Sequence, residues 1–233
     1  MSGAPRVRPR LRHAGDALVL VELEAAIDPA VNRRAVALAH AIGAARIRGV
    51  RDVVPAYASV GVHVDPLGAD LAALEAVIGR VWDRDADAAD GRVVEIPVCY
   101  GGRFGPDLGE VAAFASCTEA DVVARHAAGR YRVYMLGFLP GFAYLGGVEA
   151  AIAMPRRASP RTSVPAGSVG IAGRQTGVYP CESPGGWRLI GRTPLAMFDA
   201  ARARPALLEP GDVVRFVPTP HDEWPAAGAA VTA

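Results

Sequence analysis

The sequence predicts an α+β protein in two parts, a sheet with two helices followed by a β-barrel. Three observations predict it. Strand-like and helix-like patterns alternate in the order βαββαβ up to about residue 100. A break at Gly101-Gly102 with Pro106 follows. From Tyr131 onward, glycine and proline punctuate short β-prone runs every few residues.

In the first part, Asp16 to Glu24 is an apolar, β-prone run. Asp28-Pro29 then supplies an N-cap and a first-turn proline. Val31, Ala35, Leu38 and Ile42 recur at helical spacing and Gly43 is the stop, giving a helix over residues 29 to 42. Val50 to Val54 and Tyr57 to Val64 read as adjacent strands. In the second, Ala58, Val60, Val62 and Val64 share a face and His63 points the other way. Leu71, Leu74, Ile78 and Val81 mark a second amphipathic helix, and Arg92 to Cys99 is expected to close the sheet. Two helices over four strands in this order make a ferredoxin-like unit.

Beyond the break, Asp107-x-x-Glu110 and Thr118-x-x-Asp121 read as capping boxes opening two short helices, the second ending at Gly129. Tyr131 to Phe138, Ser168 to Ala172, Arg188 to Gly191 and Asp212 to Pro218 are the barrel strands. The expected division is a poorly ordered start (1–15), a ferredoxin-like domain (16–100), a barrel with a binding cleft (101–222) and a tail (223–233).

Composition narrows the chemistry. The chain has 233 residues, is 51% hydrophobic and 21% charged, and carries a net charge of +1, which gives no basis for nucleic-acid binding. No apolar run reaches the roughly 18 residues of a membrane span, and the Arg-rich start lacks a signal-type segment, so a cytoplasmic location is expected. All 25 basic residues are arginine. A P-loop lysine, a Schiff-base lysine, an amidase-type lysine and a biotinyl-lysine are thereby excluded. Cys99, Cys117 and Cys181 are widely spaced and read as reduced thiols. The five histidines have no metal-ligand spacing, so no metal site is expected. Gly167-Ser168-x-Gly170 lacks the spacer of a nucleophile elbow and reads as a turn.

The stretch from Tyr131 to Thr193 holds the densest pattern: Gly137-Phe138-x-Pro140-Gly141-Phe142 with Tyr144-Leu145; Pro155-Arg156 and Pro160-Arg161; Val164-Pro165-Ala166-Gly167-Ser168-Val169-Gly170-Ile171; Gln175-Thr176-Gly177; Tyr179-Pro180; Ser183-Pro184-Gly185-Gly186-Trp187; and Gly191-Arg192-Thr193-Pro194. Glycines here allow loops to present N–H groups to an anion or oxyanion. Arg156, Arg161 and Arg192 offer bidentate contacts to a carboxylate or phosphate, and Phe138, Phe142, Tyr144 and Trp187 offer apolar walls.

This run, with the closing Leu208-x-Pro210-Gly211-Asp212, resembles the family variously called allophanate hydrolase subunit 1, KipI-like or B-type 5-oxoprolinase subunits, over about residues 16 to 218. The resemblance implies a cyclophilin-like barrel for the second domain. It also implies membership of an ATP-dependent 5-oxoprolinase, which opens the lactam of 5-oxoproline to glutamate, as a heteromer with a larger C-type subunit. A heterotetramer, and addition of an A-type subunit, extend that assembly. ATP would be bound mainly by, or shared with, the partner. On this reading Arg161, Gln175 and His126 are the catalytic candidates, and Phe138, Pro140, Tyr144, Arg156, Ser168, Trp187, Arg192 and Thr193 the substrate-binding ones. His126 stands where the family pattern often carries histidine; its other reading is a helix-end histidine favoured by the dipole. Two alternatives remain open at this point: a KipI-like inhibitor of a histidine kinase, and a carboxyltransferase-type module related to urea carboxylase.

Overall fold

The computed structural model describes residues 8–24, 26–83 and 91–224, and the chain divides into two compact units on either side of residues 90 and 91. Expectations for residues 1–7 and for the tail from residue 225 lie outside the described residues; the rest of the start expected to be poorly ordered contains a strand at Arg10–His13.

In the first unit, β1 (Arg10–His13) and β2 (Leu18–Glu22) form an antiparallel hairpin. α1 (Pro29–Ala44) is opened by Asp28, whose carboxylate accepts from the N–H groups of Ala30 and Val31 at 2.7 and 3.2 Å. β3 (Val50–Pro55) and β4 (Ser59–Val64) make a second hairpin, and α2 (Leu71–Asp83) follows. The sheet order is β1-β2-β4-β3. Val19, Val21, Val60, Val62 and Val64 turn to one face and pack on Leu38 and Ile42 of α1 and on Leu74 and Ile78 of α2. His63, one position out of phase, is exposed.

The unit is ferredoxin-like with one exchange. The sequence predicts Arg92–Cys99 as the fourth strand of this sheet; β1, beside β2, is the fourth strand instead. Residues 10–13 read RLRH, whose single apolar side chain gives no strand signal, and hairpin pairing with β2 supplies what periodicity lacks. The expected closing strand, β5 (Val93–Tyr100), belongs to the barrel, which moves the division between the two units from about residue 100 to residue 90. Its apolar pattern fits any half-buried sheet. The partner is decided by a continuous parallel register with residues 213–218, a pairing that local sequence does not report.

The second unit continues with α3 (Leu108–Phe114) and α4 (Glu119–Ala128). Thr118 and Asp121 form the expected capping box on α4, and Gly129 ends that helix. Asp107 differs from its expected role: it sits at the N-cap of α3, yet its side chain makes no cap bond.

Eight strands follow, β6 (Tyr131–Leu136), β7 (Ala143–Gly146), β8 (Arg161–Val164), β9 (Ser168–Ala172), β10 (Gln175–Val178), β11 (Ser183–Gly185), β12 (Arg188–Arg192) and β13 (Val213–Pro218). A closed barrel runs in the order β10-β7-β6-β13-β5-β12-β9, while β8 and β11 form a separate two-stranded ribbon. The α+β class with a cyclophilin-like closed barrel in the second part is thus the observed one. Ile96, Val98, Val133, Leu145, Val169, Ile171, Ile190 and Val214 fill the barrel, closed at one side by Leu108, Val111 and Val122 of α3 and α4. A smaller apolar cluster of Phe142, Val164, Tyr179, Trp187 and Leu189 lies apart from that core and supports the site described next. Burial of one such ring stabilises the fold by roughly 1.5–3 kcal/mol. The three cysteines are free thiols. Among the described residues no helix is long and apolar enough to cross a membrane.

Candidate functional site

A cleft of about 320 Å³ opens between the β6–β7 loop and the β8–β11 ribbon. Its walls are aromatic: Phe138, Phe142, Tyr144, Tyr179 and Trp187, with Arg156, Arg157 and Pro160 along one side and the backbone of Gly185 and Gly186 along another. Phe142 organises them. Its ring meets those of Tyr144, Tyr179, Trp187 and Phe138 edge to face, with centroids 5.1, 5.4, 5.4 and 5.5 Å away. Phe138 is the outermost ring, 60% exposed and held at φ 70°, a left-handed conformation that a phenylalanine rarely adopts. Gly185 is required where it stands, because a Cβ there would lie 2.3 Å from the Tyr179 hydroxyl oxygen.

Charge enters from the segment before and into β8. The Arg156 guanidinium lies 5.7 Å from the centre of the Trp187 ring. Arg157 is fixed by its backbone N–H to the Gly186 carbonyl at 2.8 Å. Its side chain donates to Asp107 at 3.3 Å, and Arg161 donates to the same carboxylate oxygen at 2.7 Å. The other Asp107 oxygen accepts the Leu189 N–H at 2.7 Å, so one buried carboxylate ties α3, β8 and β12 together. Arg188 pairs with Glu110 close by. Three guanidinium groups, those of Arg157, Arg161 and Arg188, therefore face two carboxylates, and Arg156 adds a fourth positive charge, so the wall is cationic. Arg157 Nε and Arg161 Nη1 are buried donors without a hydrogen-bond partner among the described residues.

Tyr179 forms the floor. Only 2% exposed, it has its phenol pKa raised chiefly by burial, against the opposing influence of the Trp187 backbone N–H and the charges of Arg156 and Arg161.

Of the residues proposed from sequence, the cleft brings together Phe138, Tyr144, Arg156 and Trp187. Arg161 stands behind them, committed to Asp107. Pro140 is exposed in the β6–β7 loop and does not line the cleft. Ser168, Arg192 and Thr193 gather elsewhere. Ser168 pairs with Arg192 across β9 and β12, Arg192 Nε donates to the Ala166 carbonyl at 2.7 Å and its guanidinium lies over Trp224, and the Thr193 hydroxyl accepts the Leu195 N–H at 3.3 Å. Gln175 opens β10 opposite Gly146 and Ala172.

His126 is walled into the barrel, fully buried and stacked against Tyr131 and Phe216. Its Nδ1 is 2.7 Å from the Tyr100 hydroxyl and its Nε2 3.0 Å from the Thr176 hydroxyl. Thr176 donates its proton to the Gly170 carbonyl at 2.9 Å, so it accepts from Nε2–H, and Nδ1 accepts from Tyr100. Burial pushes the His126 pKa down to about 3 and keeps the ring neutral. It does not line the cleft; it stands in the last turn of α4, as the helix-end reading has it, but as a neutral imidazole it brings no charge to the dipole.

Sequence reasoning missed Tyr179, Arg157, Pro160 and Asp107. The first three lie inside the motif-rich stretch, where neighbouring residues carry the more familiar chemistry. Asp107 is masked by a capping pattern that it satisfies in letters and not in hydrogen bonds.

The family described as carboxyltransferase domain, subdomain C and D, matches residues 9–208. The B-type subunit of 5-oxoprolinase from Bacillus subtilis (strain 168) is 45% identical over 224 residues, covering 91% of this chain and 93% of the relative. Among solved structures, TTHA0988 superposes with a TM-score of 0.79 at 40% identity over 91% of this chain. This chain spans only 40% of the length of that one. The urea carboxylase of Kluyveromyces lactis, at 21% identity and TM-score 0.72, covers 94% of this chain and 23% of its own, and shares the fold.

Proposed function

We propose, on the premise that this chain belongs to the family of the carboxyltransferase domain, subdomains C and D, which includes the B-type subunits of 5-oxoprolinase, that it serves as such a subunit in an ATP-dependent 5-oxoprolinase. It acts in the cytoplasm as a heteromer with a C-type partner, and an A-type chain is a further component. The observation that carries the reading is the aromatic cleft with its cationic wall. A five-membered lactam acid is a flat, largely apolar ring with one carboxylate. Five aromatic rings suit its faces and edges, and a guanidinium suits its charge.

A cleft of about 320 Å³ is near the lower end of ligand pockets and fits such a ring better than a whole nucleotide. ATP is therefore assigned mainly to the partner subunit, where it supplies the activation that a resonance-stabilised amide needs. This chain's contribution is to bind and orient. Phe142, Tyr144 and Trp187 exclude water from the ring, Arg156 neutralises the carboxylate, and Asp107 holds Arg157 in the cleft wall and Arg161 behind it. Removal of water strengthens each of these electrostatic contacts.

The test is co-purification with the partner subunits and measurement of ATP hydrolysis with and without 5-oxoproline. Stimulation by 5-oxoproline, and not by urea or allophanate, is expected. A complex whose ATP turnover ignores 5-oxoproline would remove the assignment.

A further inference from the structure

Tyr179 is a buried polar group whose position is built and whose proton is uncommitted. Its ring is held edge to face by Phe142 and Trp187, and its hydroxyl lies against the backbone of Gly185, where no side chain intervenes. The Trp187 backbone N–H favours the ionised phenol, against the larger effect of burial. Among the described residues no carbonyl or carboxylate accepts the Tyr179 O–H, although the ring lines the cleft. A hydroxyl on the cleft lining can donate to an acceptor that enters the cleft.

The charges around it select the partner. Arg157 and Arg161 are engaged by Asp107, whereas Arg156 makes no ion pair among the described residues and rests on Trp187. A hydroxyl donor beside an uncommitted guanidinium favours an acceptor that carries a full negative charge.

We propose that the Tyr179 hydroxyl and the Arg156 guanidinium together form the carboxylate subsite of the cleft, Tyr179 donating its hydrogen bond to a carboxylate oxygen of the bound cyclic acid. The inference rests on the reading of the preceding section and adds to it the orientation of the ligand. The carboxylate lies on the Tyr179 floor, and the lactam carbonyl points away from it. Burial keeps the phenol protonated, so the donor is present throughout the neutral range.

Tyr179→Phe keeps the ring and its edge-to-face contacts and deletes only the hydroxyl. Gly185→Ala leaves the hydroxyl intact and drives a Cβ against it. Both variants are assayed in the co-purified complex for the substrate KM, with 5-oxoproline as substrate, and for inhibition by two probes. Cyclopentanecarboxylate has the carboxylate without the lactam, and 2-pyrrolidinone has the lactam without the carboxylate. Either variant is expected to raise the substrate KM and the inhibition constant of cyclopentanecarboxylate by roughly 10- to 100-fold, the scale of one hydrogen bond to a charged group. The inhibition constant of 2-pyrrolidinone should stay within about twofold, a selectivity that general loosening of the fold would not produce. Equal losses for both probes, a loss confined to 2-pyrrolidinone, or no loss at all would overturn the subsite. A wild-type complex without 5-oxoproline-dependent turnover would overturn the functional reading itself, and this inference with it. Should Tyr179→Phe fail to fold, Gly185→Ala decides alone.

Discussion

Asp107 and Arg161, 54 positions apart in sequence, are joined by a 2.7 Å ion pair whose carboxylate is almost wholly buried. The relationship recasts Arg161 as a support for the cleft. Arg161→Ala should lower stability by about 3 kcal/mol, the lower end of the range for breaking a buried pair, since Arg157 still reaches Asp107 at 3.3 Å. Thermal unfolding of the purified chain should show a melting temperature lower by roughly 6–12 °C. An unchanged melting temperature would contradict the structural role.

His126 predicts an acid-labile barrel. Its pKa falls from 6.5 to about 3 on folding, so below pH 6.5 the unfolded chain binds a proton that the folded chain refuses. The associated stability is complete above pH 6.5 and is lost as pH falls from there towards 3, with a slope approaching about 1.4 kcal/mol per pH unit. His126→Phe should flatten that slope in denaturant titrations between pH 6.5 and 4, whatever its effect on stability at pH 8.

Arg156 is exposed, makes no ion pair among the described residues and has its guanidinium over the Trp187 face. Arg156→Ala should therefore change folding stability by no more than about 0.5 kcal/mol. The same variant should weaken binding of a cyclic carboxylate to the complex by roughly tenfold or more. Calorimetry on the free chain and steady-state kinetics of the complex test the two halves separately.

Phe138 separates backbone strain from side-chain function. Both Phe138→Ala and Phe138→Gly remove the outer ring of the cleft, but only glycine suits φ 70°. Phe138→Gly should be the more stable of the pair by about 1 kcal/mol in urea unfolding, while both lose the same affinity for ligand.

The elements whose apolar residues repeat locally were legible in the sequence. α1 was visible from Asp28, Pro29 and the Val31-Ala35-Leu38-Ile42 spacing, and β9 was legible from Ser168 to Ala172. What periodicity cannot carry is partnership. β5 has the same alternating character whether it joins β2 or β13, and only a strand 120 residues away determines which. The site divides in the same way. Phe138, Tyr144, Arg156 and Trp187 were found because residue type and motif coincided. Gln175 and Ser168 were drawn in by motif alone, and their side chains lie outside the cleft. Tyr179 was overlooked because its importance comes from Gly185, a residue with no side chain to announce it.

The parallel pairing of β13 with β5 has a consequence for how the chain is made. The strand that opens the barrel segment is flanked by β12 on one side and by the last strand on the other. During synthesis the ring therefore stays unsealed until residue 218 has left the ribosome, and β5 waits with both edges bare until β12 is made and with one bare until β13 is. The ferredoxin-like unit needs no such delay, since all its strands and both helices precede residue 84. A nascent chain stalled before β13 should carry a protease-resistant first unit and a barrel segment that is still digestible.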